Sequence, residues 1–153
     1  MIIKGDIDWS EKYFEKLPDI SESIVYGTFS CSWCENLTSL EGAPKEVGGG
    51  FYCGECSKLE ALVGAPKEVG GGFCCCRCEN LTSLEGAPER VGGYFDCSVC
   101  EWLESAKGLP MHIGGEIYFD YQLRHEIDKE LERRKKQANQ STLPPNGFSN
   151  SGR

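Results

Sequence analysis

Apolar positions in this chain recur at one fixed interval. Phe29, Phe51, Phe73 and Phe95 are 22 residues apart, with Ile7 one interval before them and Ile117 one after. The same interval links Cys31, Cys53, Cys75 and Cys97, then Cys34, Cys56, Cys78 and Cys100, then Leu37, Leu59, Leu81 and Leu103. A further leucine column, Leu40, Leu62 and Leu84, ends in Ala106. Gly42, Gly64, Gly86 and Gly108 are each followed by a proline two residues on, then by Val47, Val69, Val91 or Ile113 and a Gly-Gly pair.

The unit F-x-C-x-x-C-x-x-L-x-x-L-x-G-x-P-x-x-V-G-G-x begins with apolar, polar, apolar alternation, which predicts a short strand with one buried face. Gly and Pro then interrupt the unit too often for a long helix, so the return leg is expected to be extended or turn-like. One copy cannot bury its own Phe, Cys and Leu; stacked copies can. The pattern therefore predicts a solenoid with a parallel sheet on one side. Six strand registers at a spacing of about 4.8 Å give a curved slab on the order of 25 Å long.

The ends depart from the period in ways that suit caps. Residues 1–26 keep Ile7 in register, replace the Cys columns with charged residues and place Phe14 and Leu17 one position early, so they are expected to form an N-terminal capping unit. The solenoid proper spans 27–121. Residues 122–138 carry Leu123, Ile127 and Leu131 at helical spacing, which predicts an amphipathic helix over the last open face. The run Arg133, Arg134, Lys135 and Lys136 is expected at the negative end of that helix. Residues 139–153 are polar with Pro-Pro and Asn-Gly, the composition of a disordered tail.

These columns resemble the leucine-rich repeat family. Phe51, Cys53, Cys56 and Leu59 align with its L-x-L-x-x-C-x-x-L segment, all four central units match that segment, and the resemblance covers roughly residues 5–121. LTSLEGAPKEVGG at 37–49 and its copies are similar to short GAPKEVGG-type repeat proteins of bacterial viruses and bacteria. The resemblance implies an α/β solenoid of leucine-rich-repeat type, a protein-binding concave face and no chemistry of its own. For a viral chain it also implies a host-cell partner, such as a defence protein that it inhibits. Cys replaces the usual aliphatic residue and the usual Asn of the family's ladder.

Charge narrows the choice of partner. The 153 residues carry a net −8, and the surplus lies in the body: residues 1–121 hold 20 acidic and 9 basic side chains, residues 122–153 hold 4 and 7. An acidic body repels phosphates, so no nucleic-acid partner is expected. No apolar run approaches the roughly 20 residues of a membrane-spanning helix, so no membrane partner is expected either. The N-terminus does not read as a secretory signal, which makes cytoplasmic the expected location. An open solenoid edge or the terminal helix offers a route to a homo-oligomer.

Ten cysteines raise the question of chemistry. By spacing, Cys31, Cys34, Cys53, Cys56, Cys75, Cys78, Cys97 and Cys100 form C-x2-C pairs suited to zinc, which is the alternative function: a zinc-binding structural protein. Their lockstep with the Phe, Leu and Gly-Gly columns instead favours packing, with each thiol a small apolar filler and weak donor, and no cofactor. Cys74 and Cys76 lie outside the columns and are expected on the strand face as the reactive thiols, with Arg77 nearby to lower a pKa. No catalytic residue is assigned, because His112 and His125 stand without catalytic neighbours. GGG at 48–50 and 70–72 is followed by no phosphate-binding helix.

Binding has the better case. Inward columns barely vary, whereas the outward ones do. One displays Ser30, Tyr52, Cys74, Asp96 and Tyr118; another Trp33, Glu55, Arg77, Val99 and Tyr121; a third Thr28, Gly50, Gly72, Tyr94 and Glu116. Tyr, Trp and Arg dominate interface hot spots. The expected function is a non-catalytic module that binds a protein through Trp33, Tyr52, Glu55, Cys74, Arg77, Tyr94, Asp96, Tyr118 and Tyr121.

Overall fold

A computed structural model describes residues 1–141. Each repeat supplies two very short strands, which have no stability outside a sheet. In chain order they are β1 (Ile2–Ile3), β2 (Ile7–Asp8), β3 (Ile24–Val25), β4 (Phe29–Ser30), β5 (Glu46–Val47) and β6 (Phe51–Tyr52). They continue as β7 (Glu68–Val69), β8 (Phe73–Cys74), β9 (Arg90–Val91), β10 (Phe95–Asp96), β11 (His112–Ile113) and β12 (Ile117–Tyr118). The even-numbered strands form one six-stranded parallel sheet and the odd-numbered strands a second. Register keeps like with like: Phe29 opposite Phe51, Phe51 opposite Phe73, Val47 opposite Val69.

The described residues thus form a β-solenoid with a single α-helix, at its C-terminal end. The second sheet corrects the expectation of one sheet with an unpaired return. The prolines stop the return leg from becoming a helix, and an extended leg repeated at constant pitch lies beside its own copy, where backbone donors and acceptors pair as they do on the other side. Glu46 and Val47 show the outcome, one exposed and the other buried.

Between the sheets the four phenylalanines form a stack of nearly parallel rings. Centroid separations are 5.1, 5.3 and 5.4 Å from Phe29 to Phe95, with interplanar angles of 10° or less. The leucine columns and all eight column cysteines are buried beside it. Three thiols donate across rungs: Cys56 Sγ to the Cys31 carbonyl, Cys78 Sγ to Cys53 and Cys100 Sγ to Cys75, each at 3.3 Å. Cys34 Sγ extends the series to the Trp9 carbonyl at 3.2 Å. Those carbonyls lie just past the two-residue strands, and the thiol supplies a donor there.

Both caps close the stack with apolar side chains. Trp9, not a charged residue, occupies the first Cys column in the N-terminal unit and meets Phe29 edge-on at 5.3 Å and Phe14 edge-on at 5.9 Å. At the other end a 3-10 turn, Tyr121–Leu123, leads into α1 (Arg124–Ser141); the turn buries Leu123 and the helix buries Ile127 in the core. The helix therefore starts later and runs further than 122–138. It takes in residues 139–141 of the expected tail, while 142–153 lie outside the described residues. The basic run sits inside the helix and not at its end: Arg134 donates to the Leu109 and Pro110 carbonyls and to Glu130. Hydrogen bonds from Arg133 and then Arg134, partly offset by burial, hold Glu130 down to about 2.

Neighbouring rungs touch backbone to backbone at the Gly-Gly pairs. A Cβ on Gly70 would run into the Gly48 carbonyl oxygen, whereas a Cβ on Gly5 meets nothing within 4 Å. Gly70→Ala is therefore expected to destabilise by at least the ~1–3 kcal/mol typical of overpacking, and Gly5→Ala to change stability by less than about 0.5 kcal/mol. Urea unfolding of the two variants checks this; equal midpoints would contradict the close approach.

Candidate functional site

The outer face of the even-numbered sheet and the corner beyond it carry the variable side chains. Four of the six even-numbered strands, β2, β4, β8 and β10, end in a local turn in which the outward residue accepts from the N–H two residues on. Ser10 N donates to Asp8 Oδ1 at 2.9 Å, Ser32 N to Ser30 Oγ at 3.4 Å, Cys76 N to Cys74 Sγ at 3.4 Å and Ser98 N to Asp96 Oδ1 at 2.9 Å. Polar residues at these two positions are thus part of the backbone's hydrogen bonding. The third repeat performs the same turn with sulfur.

One residue further on, the chain enters the left-handed region at Glu11, Trp33, Glu55, Arg77 and Val99, with φ of 57° to 62°. These side chains stand at a corner past the strand, a correction to their expected place within the sheet. Tyr121 does not join them: the chain has already entered the 3-10 turn, where Tyr121 is exposed. Asp120 makes that break by accepting from Val99 N at 2.8 Å and Cys100 N at 3.0 Å, which ends the ladder with a carboxylate. Left-handed backbone costs an L-residue roughly 1–2 kcal/mol, and a β-branched residue there is an outlier. Yet Trp33 is 52% exposed and Val99 45%.

Tyr52 and Tyr94 are half-buried on the sheet surface because glycines make room for them. A Cβ on Gly50 would collide with the Tyr52 hydroxyl, and one on Gly72 with the Tyr94 ring. Burial, and then the neighbouring Tyr52 hydroxyl, push the Tyr94 phenol up. Tyr118 meets Tyr94 edge-on at 6.0 Å and is exposed. Glu55 and Arg77 face each other at 3.7 Å. Tyr52, Tyr94, Cys74, Asp96 and Tyr118 thus share one surface; Trp33, Glu55 and Arg77 border it; Tyr121 stands apart.

All ten cysteines are free thiols. Burial pushes the column thiols up, Cys56 to about 12 and Cys100 to about 11. Cys74 and Cys76 are half-buried and share a hydrogen bond, which raises the first and lowers the second. The lowering at Cys76 comes from Cys74 and not from Arg77, which is engaged with Glu55. Among the described residues, one group of three Cys, His, Asp or Glu ligand atoms lies within 4.8 Å of one another: Cys74, Cys76 and Asp96. The eight column cysteines form no such group, so the repeated C-x2-C pairs do not converge on a tetrahedral centre.

Three contributors escaped the sequence reading. Gly50 and Gly72 stand in the third displayed column without a side chain, and their role appears only once the tyrosines lie over them. Trp102 is also exposed, three residues along the chain from Val99, and it stands out in sequence because Asn36, Lys58 and Asn80 precede it in its column. His112 and His125 are exposed, on β11 and α1. Among the described residues no helix is long and apolar enough to cross a membrane. Comparison with protein-family models, curated proteins and solved structures finds no match.

The thiols generate a pH test. A lowered pKa means that the thiolate forms, and alkylation by iodoacetamide begins, at lower pH; raised pKa values delay it. Cys76 is expected to label first, at lower pH than an ordinary thiol, while the column cysteines label only on unfolding. Peptide mapping by mass spectrometry reads each site, and column cysteines that label as fast as Cys76 would contradict the burial.

Proposed function

We propose that the chain is a non-catalytic binding module of leucine-rich-repeat type that engages another protein through the outer face of the even-numbered sheet and its adjoining corner. The observation that carries this reading is the identity of the corner residues. Gly or Asn would hold a left-handed backbone at least cost. The chain instead keeps Trp33 and Val99 there, half-exposed, where packing within the chain gives little return for the strain. Strained backbone bearing exposed apolar side chains suits contact with something outside the molecule.

The surroundings suggest the partner's chemistry. Trp33 lines a hollow of about 370 Å³ with Glu11, Lys12, Tyr13 and Glu35, and Val99 lines one of about 590 Å³ with Glu101, Glu104, Asp120 and Gln122. Apolar anchors ringed by carboxylates fit a protein surface with apolar side chains set among Lys or Arg. The resemblance to repeat proteins of bacterial viruses supplies the further proposal that this partner is a host protein, met in the cytoplasm and blocked by the contact. The basic run on α1 gives no comparable case for nucleic acid, because Arg133, Arg134 and Lys135 are paired with Glu130 and Glu132.

The test separates binding from folding. Trp33→Asn and Val99→Asn relieve the left-handed strain, so each is expected to leave the thermal midpoint unchanged or raise it by about 2–4 °C per kcal/mol relieved. Together they are expected to weaken capture of the partner from a lysate of the native host at least tenfold, and Tyr118→Ala to weaken it further. Undiminished capture by the combined variant would overturn this reading.

A further inference from the structure

We propose that Cys74, Cys76 and Asp96 form a binding site for a thiophilic divalent cation of the zinc class on the strand face. The columns account for the other eight cysteines as packing and as donors to backbone carbonyls; nothing in the period calls for Cys74 or Cys76. Their sulfurs and a carboxylate oxygen of Asp96 already lie within 4.8 Å of one another. A tetrahedral centre with Zn–S bonds of about 2.3 Å requires sulfurs about 3.8 Å apart. The three groups therefore reach ligand spacing through side-chain movement of roughly 1 Å, without any change of backbone.

Three features prepare the site. Cys74 and Cys76 are two residues apart on a single outward face, so their sulfurs converge as a chelating pair, while Cys75 between them points into the core. Gly54 leaves the space into which they converge: a Cβ there would sit 3.2 Å from Cys76 Sγ and 3.6 Å from Cys74 Sγ. On the adjacent rung Ser98 fixes the third ligand, donating to Asp96 Oδ1 from its N–H at 2.9 Å and its hydroxyl at 2.6 Å. That leaves Oδ2 for a cation, and a hydrogen-bonded carboxylate is the usual condition of a metal ligand.

Two thiolates and one carboxylate give a soft, doubly chelating set that favours zinc or cadmium over magnesium or calcium. Three protein ligands leave the fourth position of a tetrahedral ion open to water or to a ligand from outside the chain. The ion would displace the two thiol protons to solvent. This site stands independently of the partner-binding reading, because the metal alone probes it.

The experiment uses the full chain, reduced and stripped by chelator, titrated with Cd²⁺ while thiolate-to-metal charge-transfer absorption is followed, and with Zn²⁺ in competition. One equivalent is expected to bind, with proton release. Cys74→Ser/Cys76→Ser is expected to abolish the absorption, and Asp96→Asn to weaken binding by more than the roughly 10–100-fold that loss of an outer-shell partner costs. Serine already stands at both positions in the first repeat, as Ser30 and Ser32, so the double variant is expected to fold, and circular dichroism verifies it. Absorption that survives in the folded double variant would place the metal on the column cysteines and overturn the proposal. So would a reduced wild-type chain that binds no cadmium, or affinity unaltered in Asp96→Asn.

Discussion

The constraint on which the rest depends is the spacing of adjacent parallel strands, about 4.8 Å. Every column must be able to repeat at that distance. Phenylalanine can, as stacked rings 5.1–5.4 Å apart. A thiol can, being small enough to pack and able to donate to the carbonyl of the rung before it. Where backbones themselves approach, at Gly48, Gly70 and Gly92, no side chain fits. The same spacing that selects these residues forces the return leg into a second sheet, because an extended segment cannot stack on its copies at this distance without pairing with them.

Stability is thereby concentrated on the inward columns and the outward ones are left free to vary. That freedom is what makes the outward residues informative. Gly50 and Gly72 give up side chains so that two tyrosines can lie flat, the corner keeps Trp33 and Val99 despite their backbone, and the third repeat presents sulfur at two positions where the first and fourth present oxygen. The proposed protein binding and the proposed cation binding would be different uses of one surface, and both draw on positions that the period does not constrain.

Much of the fold was legible in the sequence because a 22-residue period translates directly into a rung. The first sheet, its register and the buried faces of Phe, Cys and Leu all follow from it. Pairing in the second sheet did not, since two residues per repeat, such as Glu46 and Val47, are too few for alternation to announce a strand. The left-handed corner was hidden for a different reason: Trp33, Glu55, Arg77 and Val99 have no preference for that backbone, so propensity points away from it. Tyr121 fell out of its expected column because the Asp120 carboxylate takes over donors that a continuing ladder would have bonded. Of the candidate site, the display columns were readable. Convergence was not, because the approach of Cys74, Cys76 and Asp96 depends on a rung-to-rung distance and on the space at Gly54.

Rungs with the same inward columns stack in register, so that one can take the place of the next. Deleting residues 51–72 removes one period and joins Gly50 to Phe73, the same Gly-Phe junction that the intact chain has at Gly72 and Phe73. Small-angle X-ray scattering of this shortened chain beside the full one tests the claim most directly. The expected result is a folded particle whose longest dimension along the stack is shorter by one rung, about 4.8 Å. An unfolded chain, or a folded one with unchanged length, would contradict it.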